Sequence, residues 1–167
     1  MNIELRELQL EDAEFMLEFY SQEYARYFRF SSLNPQDEIQ SFIKNSWNDK
    51  NNKHYAITVN KEYAGTISLK KIDLYSLNAE YAIVLRKKFW GMNIASDATH
   101  EIIGIAFSEL KLIKIYLNVL STNKRAINFY VKFGFVKEGT LKKHICIDRI
   151  FYDLDLFAYL NERTDEL

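Results

Sequence analysis

The sequence predicts one α/β (α+β) domain, residues 1–167, built on a mixed, mostly antiparallel sheet with flanking helices. Three observations carry that reading. The first is the order of periodic segments, β-α-α-β-β-β-α-β-α-β-β. The second is a pair of strands, His54–Val59 and Tyr63–Leu69, separated only by Asn60-Lys61-Glu62, which is the spacing of a hairpin. The third is the succession strand, helix, strand from Ala79 to Leu120, which requires a parallel crossover inside the sheet.

In chain order, "NIELREL" alternates as a strand with Ile3, Leu5 and Leu8 on one side. "LEDAEFMLEFYSQ" places Ala13, Met16, Leu17 and Tyr20 at helical spacing. "NPQDEIQSFIKNSW" starts a helix with Asn34 as N-cap, Pro35 at the first position and two acids in the first turn. Ala79–Leu85 is a strand antiparallel to Tyr63–Leu69. A helix follows from about Asn93 to Leu110, with Ala95, Ala98, Ile102, Ala106 and Leu110 on its core face. "LIKIYLNVL" is a buried strand. "NKRAINFYVKF" is a helix stopped by Gly134. "GFVKEG" and "RIFYDLDLF" supply two last strands.

The composition excludes several classes. The chain is 48% hydrophobic and 15% aromatic, ample for a core, with a net charge of -1 and no basic field for nucleic acid. Residues 1–60 hold 6 Lys/Arg and 10 Asp/Glu, and the remainder 16 and 13, so an anionic ligand favours the second part. One cysteine, Cys146, rules out a disulfide framework. His54, His100 and His144 lack ligand spacing, so no metal is indicated, and His100 reads as structural. "MNIELREL" has no signal-peptide pattern and no apolar run approaches a bilayer span. A cytoplasmic protein with no membrane partner is expected, and a homodimer is left open.

The most informative stretch is "KFWGMNIASD", where a strand turns into a helix. A helix N-terminus offers free N–H groups and about half a positive charge. A glycine ahead of it lets backbone approach a phosphate. Gly91, Met92, Asn93, Ile94, Ala95 and Ser96 therefore outline a pyrophosphate cradle, with Lys87 and Lys88 beside it. The same residues also suit a plain strand-to-helix turn. No Walker loop or dinucleotide fingerprint is present.

A second constellation, "NVLSTNKRAINFYVKFGFVKEG", puts Asn123 at a helix mouth and Tyr130 within that helix. Together the two stretches resemble the GNAT acyltransferases, the acetyl-CoA-dependent N-acetyltransferases. Lys88, Gly91 and Asn93 stand at the positions of that family's Q/R-x-x-G-x-G/A. Asn123, Ala126, Tyr130, Gly134 and Phe135 match its downstream pattern. The resemblance covers the whole chain in element order and residues 79–139 in motif detail. Lys88 departs from the usual glutamine or arginine, and Asn93 replaces a small residue, although Asn tolerates the left-handed conformation.

The resemblance implies a GNAT fold whose central parallel pair splays apart. Acetyl-CoA is then the cosubstrate, with pantetheine lying along Ile83, Val84 and Leu85. Asn123 and Ala126 border the pantetheine; Asn123 also suits a helix cap. It implies Tyr130 as general acid to the CoA sulfur, where spacing alone equally allows a core tyrosine. It implies Glu80 as the acid that receives the amine's proton, against a solvated or ion-paired glutamate. The branch resembled is the RimJ/RimL-like one, and Glu80 to Tyr130 is similar to bacterial spermidine acetyltransferases. The acceptor is an amine of a small molecule or peptide: amino sugar, polyamine or protein N-terminus. Arg26 and Arg29 in "SQEYARYFRFSSLN" argue against a polycation. The alternative is a non-catalytic acyl-CoA-binding sensor on the same fold.

Overall fold

The computed structural model describes residues 1–21, 24 and 33–162. Strand β1 is Ile3–Glu7. Helical turns follow at Leu10–Asp12, Ala13–Met16 (α1) and Leu17–Tyr20, then helix α2, Pro35–Ser46. Strands β2, Lys53–Val59, β3, Glu62–Asp73, and β4, Asn78–Leu85, form a meander. Helix α3 is Ile94–Gly104, strand β5 Lys114–Leu120 and helix α4 Lys124–Phe133. Strands β6, Val136–Ile147, and β7, Ile150–Leu160, end the chain.

The sheet order is β1-β2-β3-β4-β5-β7-β6. Every neighbouring pair is antiparallel except β4–β5, which is the expected parallel crossover. One face packs on α3 and α4 through Ile57, Ile67, Tyr81, Ala98, Ile102 and Leu117. The other packs on α1 and α2 through Ala56, Tyr63, Met16, Phe19, Ile39 and Ile43. Adjacent residues Ala56 and Ile57 fall in different cores, as the two-residue period of a strand requires.

Three elements differ from the sequence expectation. The first helix is broken into tight turns, and Ala13, Met16 and Phe19 are its buried residues, while Leu17 and Tyr20 are half-buried. Three-residue spacing is what a 3₁₀ turn brings to one side. Asp12 fixes the tight entry: its buried carboxylate takes the Arg6 guanidinium at 2.7 and 2.8 Å and the Gln9 N–H at 2.9 Å. The second difference is that α3 gives way to a wider π-turn at Ile105–Glu109. Ala98, Ile102 and Ala106 are buried as expected, but Ala95 and Leu110 are only half-buried, and Ile94 and Thr99 join the core instead. The third is β6–β7, one long hairpin rather than two short strands. Asp148 and Arg149, at φ 50 and 64, supply the two left-handed residues of its turn. Asn60 and Lys61 do the same for β2–β3.

Gly65 on β3 faces Leu85 at the far end of β4. A Cβ there would lie 2.1 Å from the Val84 carbonyl oxygen and 2.9 Å from Leu85 Cα. Both obstacles are backbone, so β4 itself would have to shift. Gly65→Ala is expected to lose at least about 1 kcal/mol. An unchanged urea midpoint would show that β4 yields there at no cost.

Candidate active site

Strands β4 and β5 pair only at Asn78–Lys114, Ala79–Ile115 and Glu80–Tyr116. Past that point they part. β4 stays on β3 as far as Leu85, and β5 stays on β7 as far as Leu120. The result is a cleft of about 900 Å³ that passes between the two faces of the sheet.

Backbone direction along β4 alternates. Leu77 O accepts N–H groups from Ile113 and Lys114, at the start of β5, whereas Arg86 N–H donates to Ala64 O on β3. Odd-numbered residues therefore aim at β5 and even-numbered ones at β3. Ile83 presents its N–H and C=O to the open gap, and Leu85 its N–H. The Leu85 carbonyl is closed off by the Tyr24 hydroxyl at 2.8 Å and Trp90 Nε1 at 2.9 Å. Val84 lines the cleft by its side chain, since its backbone is turned to β3.

The turn into α3 carries Gly91 at φ 79 and Asn93 at φ 62, both left-handed. Asn93 thus keeps the turn that the second small residue would have given. A Cβ on Gly91 would meet nothing within 4 Å, so the glycine serves the backbone angle and leaves open space in front of it. The first bonded N–H is that of Ser96, to Asn93 O at 3.0 Å. The N–H groups from Gly91 to Ala95 have no acceptor among the described residues. That row of donors at a helix N-terminus suits a pyrophosphate.

Gly91, Met92, Asn93, Ile94, Ala95 and Ser96 all line the cleft, as do Ile83, Val84, Leu85, Asn123, Ala126, Tyr130 and Glu80. Lys88 does not. Its ammonium pairs with Glu62 and lies 4.8 Å over the Phe89 ring, because a 3₁₀ turn at Lys87–Phe89 swings the side chain away from the cradle. Besides Lys70 on β3, the cations that line the cleft are on α4: Lys132, and Arg125, whose guanidinium stacks 3.9 Å over the Trp90 ring. Sequence reading missed them; both sit in "NKRAINFYVKF" with Asn123 and Tyr130, which is the available signal. His100, read as structural, also lines the cleft, with its ring 4.6 Å from that of Phe133. Arg26 and Arg29 lie outside the described residues.

Asn123 caps α4: its Oδ1 accepts the Ala126 N–H at 3.2 Å. That leaves its amide nitrogen for the cleft. Two turns further on, Tyr130 stands edge-on to Tyr81 at 6.1 Å, beside the point where the strands part. The Tyr81 hydroxyl is taken by Thr99 Oγ1 at 2.8 Å. The Tyr130 hydroxyl has no hydrogen-bond partner among the described residues. Burial pushes its pKa up, so it keeps its proton and is a donor rather than a base.

Glu80 sits at the fork and its side chain is 12% exposed. Oε1 receives Lys70 Nζ at 2.7 Å. Oε2 lies 2.7 Å from Lys71 Nζ, off the alignment of a hydrogen bond. Burial pushes the Glu80 carboxyl up, but the two ammoniums outweigh it and hold the group below the ordinary glutamate value. Among the described residues no group of three or more His, Cys, Asp or Glu is placed to hold a metal, and no helix is long and apolar enough to cross a membrane.

The family described as acetyltransferase (GNAT) domain matches residues 2–136. Spermidine N(1)-acetyltransferase of Escherichia coli strain K12 is 26% identical over 150 residues, 88% of this chain and 80% of that protein. An uncharacterized N-acetyltransferase, p20, of Bacillus licheniformis is 28% identical over 163 residues, 93% and 91% of the two chains. The spermidine N-acetyltransferase of Vibrio cholerae in complex with CoA and spermine superimposes with a TM-score of 0.84 at 24% identity, over 95% of each chain. A strand fork, a left-handed turn with unbonded N–H groups and a family match over most of the length converge: this chain belongs to the GNAT acetyltransferases and is an acetyl-CoA-dependent N-acetyltransferase.

Proposed function

We propose that the chain moves an acetyl group directly from acetyl-CoA to the primary amine of a small molecule, with both substrates bound across the β4–β5 fork. The observation that carries this is the Tyr130 hydroxyl, protonated, unpartnered among the described residues and set beside the open strand edge. Pyrophosphate lies on the Gly91–Ser96 turn, with Lys132 and Arg125 as the nearby cations. Pantetheine runs along Ile83 and Leu85 like an added strand and meets the Asn123 amide beside Ala126. The amine enters from the α1–α2 face, past Glu80.

The amine nitrogen, uncharged, attacks the thioester carbonyl. The N–C bond forms, and the oxyanion is held by a backbone N–H of β4. The nitrogen, now positively charged, gives one proton to Glu80 through water. The C–S bond breaks and the sulfur takes a proton from Tyr130. Water returns the proton to Tyr130. A carboxylate held low by two lysines is a weak base, yet the ammonium of a tetrahedral intermediate is a strong enough acid to yield to it. Acetyl-CoA as cosubstrate puts the activity in the cytoplasm. The sensor alternative has no observation in its favour.

Release of free CoA against a panel of amines tests the activity. Within that assay, Glu80→Gln is expected to lower kcat/KM several-fold near neutral pH. The defect should narrow as rising pH lets hydroxide from solvent take the proton of the tetrahedral intermediate in place of Glu80. A rise in KM with kcat kept would make Glu80 an anchor for the amine. Wild-type behaviour at every pH would remove it from the site.

A further inference from the structure

The two mouths of the fork differ in charge. Among the described residues the cleft is lined by four fully charged side chains: Lys70, Glu80, Arg125 and Lys132. Arg125 and Lys132 come from α4, which packs on the cosubstrate's face, and the Arg125 guanidinium stacks on Trp90. The amine's face keeps Lys70 and Glu80, with Lys71 behind them. Their neighbours on that face are the apolar Ala82, Val84 and Leu120 and the amide of Asn118.

Glu80 is the only carboxylate that lines the cleft among the described residues, and it is already claimed twice. Lys70 reaches Oε1 and Lys71 touches Oε2, both at 2.7 Å. Two ammoniums against one carboxylate leave a surplus positive charge where the acceptor must sit. A polyamine brings further ammoniums and needs free carboxylates to receive them; here it would meet lysines.

The pair has a complementary partner of a different kind. An ammonium has three N–H donors. Lys70 gives one to Glu80, and its side chain is 35% exposed, so the others are available at the cleft wall. Lys71, 71% exposed, can satisfy Glu80 from the outside while Lys70 serves a ligand. Resting on the reading that the amine enters past Glu80, we propose that Lys70 binds an anionic group carried on the acceptor within a few atoms of the reacting amine. The acceptor is then a small amine bearing a carboxylate or a phosphate, not a polycation. Lys70 is a specificity residue: it touches the acceptor's anion and takes no part in the acetyl transfer itself.

The test measures CoA release by the full chain. The acceptors are apolar amino acids and short peptides (carboxylate), amino-sugar phosphates (phosphate), their amides or unphosphorylated counterparts (neutral), and spermidine. Wild type is expected to prefer one anionic set over its neutral counterparts by roughly fivefold or more in kcat/KM, through KM, with spermidine poorest. The preferred set identifies the anion. In Lys70→Met the ratio of anionic to neutral kcat/KM should fall towards one, and Lys70→Arg should restore most of it. Acetyl-CoA affinity by calorimetry checks that each variant is folded. A wild type that favours spermidine or neutral amines sinks this inference and leaves the transferase intact. So does a Lys70→Met variant whose rates on anionic and neutral amines fall in equal proportion, because lost support of Glu80 would act on all acceptors alike. No CoA release with any amine, acetyl-CoA still binding, overturns both readings.

Discussion

Tyr130→Phe is expected to lower kcat by about 10²-fold or more, some 2.7 kcal/mol of transition-state stabilisation, with acetyl-CoA affinity nearly unchanged. The structure makes this a clean substitution. The ring packs on Tyr81, Phe129, Phe135 and Phe157, and phenylalanine keeps those contacts. The hydroxyl has no partner among the described residues, so its removal orphans no protein group. The lost function is the proton for the departing sulfur, which is needed only after the C–N bond forms. The deficit should therefore fall on kcat and not on cosubstrate binding. Steady-state kinetics with calorimetry on the same preparation checks both halves. Full turnover in the variant would make Tyr130 a core tyrosine.

Gly91→Trp is expected to weaken acetyl-CoA binding ten- to hundred-fold, about 1.4 to 2.7 kcal/mol. Two effects add. At φ 79 an L side chain is strained, so the turn pays to keep its shape. The new side chain would also project into the open space before Gly91, where the pyrophosphate approaches the row of N–H groups. Because nothing within 4 Å obstructs a Cβ, the fold should survive and the loss should be confined to the ligand. Unchanged CoA affinity in a folded variant, by calorimetry, would remove the cradle from this turn.

Much of this was local information, and so was legible in the chain. Pro35 and the acids after it start α2, and Gly134 at φ 112 stops α4. Gly91 and Asn93 set the left-handed turn into α3, because the sign of φ is a property of one residue and its side chain. Alternation marked β1, the spacing at Asn60-Lys61-Glu62 marked the β2–β3 hairpin, and the strand-helix-strand succession implied the parallel pair. Asn123 and Tyr130 were singled out by the resemblance of "NKRAINFYVKF" to the family's motif, and both line the cleft. The reading failed where local period was ambiguous: Ala13, Met16, Leu17 and Tyr20 fit α-helical spacing, but the tight turns bury Ala13, Met16 and Phe19, and β6 runs on through a glycine that the sequence suggests as its end.

What only the tertiary structure decided depends on register between distant segments. The point at which β4 leaves β5 is fixed by how far β3 and β7 hold each strand, and so the place of Glu80 at the fork is not written in its own neighbourhood. The Lys70–Glu80 pair comes from residues directly opposite across the β3–β4 hairpin, and Lys71 joins them where that ladder breaks into a bulge. Lys88 carries the motif's position but not its direction, because Glu62 lies within its reach. Arg125 and Lys132 become cleft residues only when α4 is laid beside the turn into α3. Sequence fixes backbone angles and periodicity, which are short-range; charge balance in the cleft arises from Coulomb contacts between strands, and those exist only once the sheet has closed its register.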